Sequence, residues 1–328
     1  MKILVIGGTL FIGRRLVQSL VKQGHEVAVL HRRPEHDLGR KVENLQADRN
    51  DPRQVYAAVK GRSFDGVFDL AYDWERGTPG RVIHETASML NGNVGRYVFM
   101  SSCAAYGDGL NHHEGDALAP EEHPNLYMRN KACSERALFR LHQRYGTPVV
   151  TLRPPFVYGP GNPMYREQFF WDRLRDKRPL ILPGDGRRLM QFVYVKDLVE
   201  ACLKVLEAPN VTGHAFNIAN ARPLTQCEVL EALAKAAGKP GEIVRVPRER
   251  IMRAGGHPMG PLLYFGTYFD VPPITTIISK AQRVLGFKPT SFEVGLQETY
   301  RWYARHYKRV PQDYSFEDSL LERARLAS

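Results

Sequence analysis

The stretch Lys2-Ile3-Leu4-Val5-Ile6-Gly7-Gly8-Thr9-Leu10-Phe11-Ile12-Gly13 decides the fold. Its first half is a short apolar run closed by two glycines, the pattern of a strand buried on both faces of a parallel sheet. Beyond Gly13 the apolar residues Leu16, Val17, Leu20 and Val21 recur at helical spacing up to Gln23, and Glu26 to Leu30 reads as a second strand. Strand, glycine turn, helix and strand form the unit that seats a dinucleotide, its pyrophosphate against the amides at the helix N-terminus. Gly7, Gly8, Thr9, Phe11, Ile12 and Gly13 are therefore candidate cofactor contacts. A plain tight turn is the competing reading, and the flanking strand and helix count against it. Leu10 stands where a middle glycine lets the backbone approach the pyrophosphate, a departure that Thr9 or neighbouring amides have to offset.

The end of the second strand is where such folds read the adenosine ribose. An acidic residue there grips the ribose hydroxyls of NAD; this chain offers His31-Arg32-Arg33, and guanidinium groups suit a 2′-phosphate. NADP is expected, with NAD as the alternative and an exposed basic turn before Pro34 as the reading without function. Leu45 to Asp48 reads as a third strand whose carboxylate reaches the adenine, and residues 52–60 as a helix. Phe64 to Ala71 forms a fourth strand, with Ala71-Tyr72 lining the cofactor's path. Helix-like residues 80–93 precede a fifth strand, Arg96 to Met100, which ends at Ser101-Ser102. Strands alternating with helices at this spacing define an α/β protein with a doubly wound parallel Rossmann sheet. Ser102 then falls at a strand's carboxyl end, where such sheets bind ligands.

Tyr127-Met128-Arg129-Asn130-Lys131 lies twenty-five residues further on. A Tyr and a Lys four apart on a helix project from one face. An ammonium beside a phenol favours the phenolate and lowers its pKa. With the Ser102 hydroxyl holding a substrate oxygen, Tyr127 and Lys131 make an acid/base set for forming or reducing a carbonyl at an alcohol carbon. By itself Tyr-x-x-x-Lys is commonly a solvated pair; its weight comes from the sheet that supplies a hydride carrier.

Pro154-Pro155 and Pro160 to Pro163 interrupt the alternation. Residues 1–160 are expected to form the dinucleotide-binding domain, completed by about 191–220, with Phe192 to Val195 as a strand returning to the main sheet. Residues 161–190 and 221–310 are expected to form a smaller C-terminal substrate lobe, and 311–328 a tail with a charged surface helix over Ser315 to Leu326. Phe169, Phe170 and Trp171 either stack a base or pack a core, the commoner fate. The Gly- and Pro-rich residues 254–273 read as a long loop, a lid or binding segment.

With these motifs in order, the chain resembles the extended short-chain dehydrogenases/reductases, the superfamily of nucleotide-sugar epimerases and dehydratases. The likeness covers nearly the whole chain. It rests on Gly7-Gly8-Thr9-Leu10-Phe11-Ile12-Gly13, Ser101-Ser102-Cys103-Ala104-Ala105-Tyr106-Gly107, Tyr127-x-x-x-Lys131 and Arg153-Pro154-Pro155-Phe156-Val157-Tyr158-Gly159-Pro160-Gly161. It continues through Gly184-Asp185-Gly186, Phe192-Val193-Tyr194-Val195-Lys196-Asp197-Leu198, Phe216-Asn217-Ile218-Ala219 and Leu285-Gly286-Phe287-Lys288-Pro289. The resemblance implies Tyr127 as acid/base, Lys131 as its partner and a nicotinamide-ribose contact, Ser102 as the substrate-oxygen ligand and Asp48 as the adenine contact. It also implies a bound NAD(P) that takes a hydride and returns it. Pro154 is included among the cofactor contacts, and dimerisation through the Tyr127 helix and residues 80–93 is a family-level expectation. Where the family has a diphosphate-clamping arginine, two residues before Phe192, this chain has Met190; Arg187 or Arg188 is the expected substitute. The glycine turn and Gln191-Phe192 also resemble an atypical branch that includes the plastid stem-loop RNA-binding proteins, some of whose members are assigned RNA binding.

Net charge is +11, from 46 basic and 35 acidic residues, and it admits an anionic small ligand, RNA or merely a basic surface. The basic residues are spread rather than interleaved with exposed aromatics, so the enzyme reading leads and RNA binding is the alternative. Cys103, Cys133, Cys202 and Cys227 have no ligand spacing and read as reduced thiols. His112-His113 with Glu114 and Asp116 reads as a solvated polar loop, so no metal is expected, nor a covalent nucleophile. No signal peptide or membrane span is evident, and a cytoplasmic, soluble protein is the expectation.

Overall fold

The computed structural model describes residues 1–325. Its centre is a seven-stranded parallel sheet of β1 (Lys2–Ile6), β2 (Glu26–His31), β3 (Val42–Gln46), β4 (Gly66–Asp69), β5 (Tyr97–Met100), β6 (Val149–Arg153) and β7 (His214–Asn217). The strand order is β7-β6-β5-β4-β1-β2-β3. The apolar run of β1 puts it in the middle, with Ile3 opposite both Val27 and Gly66. Successive side chains of a strand face opposite ways. Accordingly Ile3, Val5, Val27 and Val29 enter one core, and Leu4, Ile6, Ala28 and Leu30 the other.

The first face is covered by α1 (Phe11–Lys22), with Leu16, Val17 and Leu20 buried. The second is covered by α2 (Pro52–Val59), α3 (Gly80–Leu90) and α4 (Leu126–Tyr145), through Val55, Ile83 and Leu138. Chain order reverses between β1 and β4, which opens the ligand crevice of a doubly wound sheet at their carboxyl ends.

A second core gathers Tyr158, Phe169, Phe170, Trp171, Phe192 and Leu230. It is enclosed by α5 (Glu167–Arg175), by α7 (Gln226–Ala237), which follows α6 (Val195–Glu207), and, after two short helices, α8 (Arg248–Arg253) and α9 (Ser279–Leu285), by α10 (Phe292–His306). Trp171 is 1 % exposed and donates its indole N–H to the Leu233 carbonyl, 3.2 Å away, so this aromatic run is core rather than a base-stacking surface.

Three expectations are corrected. Phe192–Tyr194 pairs with Phe156–Tyr158 in a separate two-stranded ribbon; the strand that returns to the main sheet is β7. Asp48 lies two residues beyond β3 rather than within it. The expected surface helix, α11 (Ser315–Arg325), is docked: Leu320 and Leu321 are buried, and Glu317 is ion-paired with Arg173 at 2.6 Å. Leu326, the last residue expected in that helix, lies outside the described residues. Residues 254–273 contain no strand and, after the end of α8, no helix, as expected. No helix among the described residues is long and apolar enough to cross a membrane.

Candidate active site

The glycine turn is shaped by contacts that only glycine permits. A Cβ on Gly13 would lie 2.1 Å from the Gly7 carbonyl oxygen, so α1 sits directly on the turn, and Gly7 adopts φ +90 beside Ala71. Leu10 caps α1 with extended backbone and no side-chain hydrogen bond, and its own side chain is 63 % exposed. The backbone therefore does not need glycine at position 10. The first-turn amides have no side-chain cap, a donor set that suits a pyrophosphate. Thr9 offers its carbonyl to Arg14 Nε at 3.2 Å; Phe11 has a positive φ of 37, and Ile12 packs against both neighbouring cores.

At the end of β2 the three basic residues separate. His31 is buried, its Nε2 2.6 Å from Asn44 Oδ1, and burial holds its pKa below the ordinary value. It is held inside the fold at the strand end, and the guanidinium groups of Arg32 and Arg33 remain the candidates for a 2′-phosphate. Arg32 and Arg33 are exposed, and Arg32 lies 3.5 Å from Asp73. The Asp48 carboxylate accepts from Arg76, 2.7 Å away, which also binds Asp73. Arg32, Asp73, Arg76 and Asp48 thus link the loops after β2, β3 and β4 across the mouth of the crevice.

The acid/base residues converge at the carboxyl ends of β5 and β6. Asn125 caps α4 by accepting from the amides of Tyr127 (3.0 Å) and Met128 (3.2 Å), which fixes the turn that carries Tyr127. Ser102 follows β5, is 7 % exposed, and lies 3.4 Å from the Pro154 carbonyl as a weak donor. It also accepts from the Ala104 amide at 3.2 Å. Lys131 is 4 % exposed and donates to the Met100 carbonyl at 2.7 Å; its ammonium is 5.8 Å from the centroid of the Tyr127 ring. Burial brings the Lys131 pKa down to about 8.

Desolvation also pushes the half-buried Tyr127 phenol up from its ordinary value, and the Arg166 guanidinium opposes the rise. The Lys131 ammonium stays close to that ring, and desolvation is the largest influence on the phenol.

Aromatic side chains surround this centre, and of these sequence reasoning missed Trp74 and Tyr268. Trp74, 56 % exposed, stacks on the Tyr127 ring with centroids 5.1 Å apart, and Tyr72 meets Tyr127 edge-on at 4.9 Å. Tyr268, at a positive φ of 68 in the long loop, completes the cluster 6.4 Å from Trp74. Asn130 donates to the Tyr72 hydroxyl at 3.2 Å. Trp74 follows Ala71-Tyr72 by two residues, a spacing that marks it as a neighbour of the crevice once β4 is placed. The loop of residues 254–273 that carries Tyr268 reads as a lid or binding segment, but nothing singles out Tyr268 within it, and nothing near Arg166 signals its approach.

Of the two expected substrate arginines, Arg188 is tied to Asp270, 2.8 Å away, and Arg187 is exposed. Met190 is 2 % exposed in the second core. His112 stacks on Tyr106 and lies 3.3 Å from Asp116. Cys103 and Cys202 are buried free thiols.

A parallel sheet with a glycine turn at its switch point, and a Ser, Tyr and Lys at the adjoining strand ends, defines a dinucleotide-dependent protein of the Rossmann class. The chain belongs to the NAD dependent epimerase/dehydratase family, whose sequence model matches residues 3–219. It is 30 % identical to the chloroplast stem-loop binding protein of 41 kDa b from Arabidopsis thaliana, over 98 % of this chain and 84 % of that one. It is 26 % identical to the dTDP-4-dehydro-6-deoxy-D-allose reductase of Streptomyces bikiniensis, over 93 % and 96 %. Among solved structures, an epimerase from Methanothermobacter thermautotrophicus superposes with a TM-score of 0.76 at 24 % identity, covering 93 % of each chain. The UDP-glucuronic acid 4-epimerase of Bacillus cereus in complex with NAD gives 0.72 at 22 %, covering 94 % and 100 %.

Proposed function

We propose that this protein is an NAD(P)-dependent epimerase, dehydratase or reductase that acts at an alcohol carbon of a nucleotide sugar or similar small molecule. The observation that carries the reading is the meeting of Ser102, Tyr127 and Lys131 beside the Gly7–Gly13 turn. Gly7, Gly8, Thr9, Phe11, Ile12 and Gly13 cradle the pyrophosphate, Ala71, Tyr72 and Pro154 line the path, and Arg32 and Arg33 favour NADP. The bound nucleotide supplies the hydride acceptor and donor. Ser102 holds the substrate oxygen. Tyr127 gives its proton to that oxygen when a carbonyl is reduced and takes the alcohol proton, as the phenolate, when a carbonyl forms; its upward-shifted pKa favours the protonated resting form that suits the reductive direction. Lys131, mostly charged below pH 8, fixes the end of β5 through the Met100 carbonyl and would hold the nicotinamide ribose of a bound nucleotide.

The family match and the nucleotide-sugar chemistry of relatives such as the Streptomyces reductase support the reading. The test is turnover of a panel of UDP- and dTDP-sugars, followed by mass spectrometry and sugar analysis. Tyr127→Phe is expected to lower kcat by at least about a thousandfold, near the range of acid/base contributions, with cofactor binding retained. Unchanged turnover sinks the assignment.

A second reading, RNA binding, is favoured by the likeness to the chloroplast stem-loop binding protein and by the +11 charge. It requires affinity for a stem-loop RNA that falls steeply with salt.

A further inference from the structure

We propose that Arg166 is the anion-binding residue of this site, taking a phosphate or carboxylate oxygen of the substrate on the side of Tyr127 that faces the second core. The inference rests on the enzyme reading above and adds a residue to it.

Arg166 immediately precedes α5 and is held rather than paired. Its Nε donates to the Thr267 carbonyl at 3.2 Å, and its guanidinium lies 4.9 Å from the Phe156 ring centroid and 5.8 Å from that of Phe269. None of these partners is a carboxylate. The acidic neighbour that acts on it is Glu167, whose carboxyl accepts from Asn162 at 3.0 Å, leaves Oε1 without a partner, and is pushed up to about 7 by burial. Even partial removal of a guanidinium from water without a counter-charge has a cost, and desolvation lowers the pKa of this half-buried arginine.

The contrast with the other arginines at the second core is clear: Arg173 is paired with Glu317, while Arg188 and Arg248 are both paired with Asp270. Thr267, whose carbonyl anchors Arg166, is followed by Tyr268, which joins Trp74 and Tyr127 in the aromatic cluster of the site. The rings on which it rests, Phe156 and Phe269, both touch Phe192, at 5.8 and 5.6 Å. Arg166 thus enters the neighbourhood of Phe192, whereas Met190, two residues before it, is buried in apolar packing. A planar fork with free donors, anchored by one carbonyl and two rings, is suited to bidentate recognition of an oxyanion.

The test uses the full-length, cofactor-loaded protein and its Arg166→Gln and Arg166→Lys variants in calorimetric titrations with UDP, UDP-glucose and UDP-glucuronate. If the diphosphate is the anion, Arg166→Gln weakens all three by roughly ten- to hundredfold, the worth of a charge-assisted hydrogen bond, with NAD(P) affinity unchanged and Arg166→Lys intermediate. If a sugar carboxylate is the anion, only UDP-glucuronate weakens. Equal binding of all three by the wild type and Arg166→Gln overturns the proposal. If the wild type binds no nucleotide, the nucleotide-sugar reading fails and a second measurement decides on Arg166. In wild-type protein labelled with ¹⁵N-arginine, the Arg166 Nε–H resonance, assigned by its loss in Arg166→Gln, should shift on titration with pyrophosphate or malonate. No shift with either overturns the proposal.

Discussion

Gly13 and Glu167 show how single residues bear on this structure in opposite ways. The Cβ that Gly13→Ala would add meets backbone rather than a flexible side-chain end, so the turn or α1 has to move. We expect a loss of at least about 2 kcal/mol in urea unfolding, as for overpacking elsewhere, together with loss of NAD(P) binding. Glu167 is a carboxyl whose folded pKa, about 7, stands above its ordinary 4.5. Between those values the folded protein holds a proton that the unfolded chain has released, so the stability contributed by this group falls as pH rises from 4.5 to 7. The full penalty, on the order of 3 kcal/mol, applies above pH 7. Glu167→Gln should flatten that slope and stabilise the protein at pH 8; unfolding curves of the variant with the wild-type pH dependence would falsify the assignment. Neither Glu167 nor Arg166 was legible in the sequence. Arg166 rests on Phe156, Phe269 and the long loop, and Glu167 is buried beside it, surroundings that only the tertiary structure brings together. Tyr127 and Lys131, by contrast, were legible because helical periodicity puts them on one face before any packing is known. The strength of their coupling was not, because burial outweighs it.

At the scale of elements, α4 is held at its start by one side chain. Asn125→Ala removes the acceptor of two first-turn amides, and helix caps contribute about 1 kcal/mol. Because Tyr127 is in that turn, kcat is expected to drop several-fold while NAD(P) affinity, set at the other helix, stays the same; equal kcat in the two proteins would show that the cap does not position Tyr127. The α11 helix depends on a buried ion pair. Glu317→Ala leaves Arg173 charged and unpaired, which should cost about 3–5 kcal/mol, measured as a lowered midpoint in guanidinium unfolding. The strands of the main sheet were readable from their apolar runs, apart from the choice between Phe192–Tyr194 and His214–Asn217. Both are short and apolar in part, and periodicity carries no information about which neighbour a strand pairs with. The docking of α11 was hidden for a related reason: a charged helix reads as solvated until the partner of its Glu is known.

Across the whole molecule, the glycine turn, the ionic links at the crevice mouth and the Ser102–Tyr127–Lys131 set all lie at one end of one sheet. That arrangement follows from the strand order, which reverses at β1 and β4. Fold class and the location of the site were therefore written in the order of the sequence motifs, whereas the pairing of Asp48 with Arg76 and the burial of His31 depended on loops whose paths the sequence does not specify. The charge of +11 is compatible with both an anionic substrate and RNA, so it does not choose between the two readings. Cofactor binding does. The decisive measurement is a calorimetric titration of the purified, cofactor-stripped protein with NADP⁺ and then NAD⁺. The account predicts saturable one-to-one binding, tighter for NADP⁺, with the preference reduced in an Arg32→Ala, Arg33→Ala double variant. Binding of neither nucleotide, at concentrations up to the millimolar range typical of cells, would contradict it.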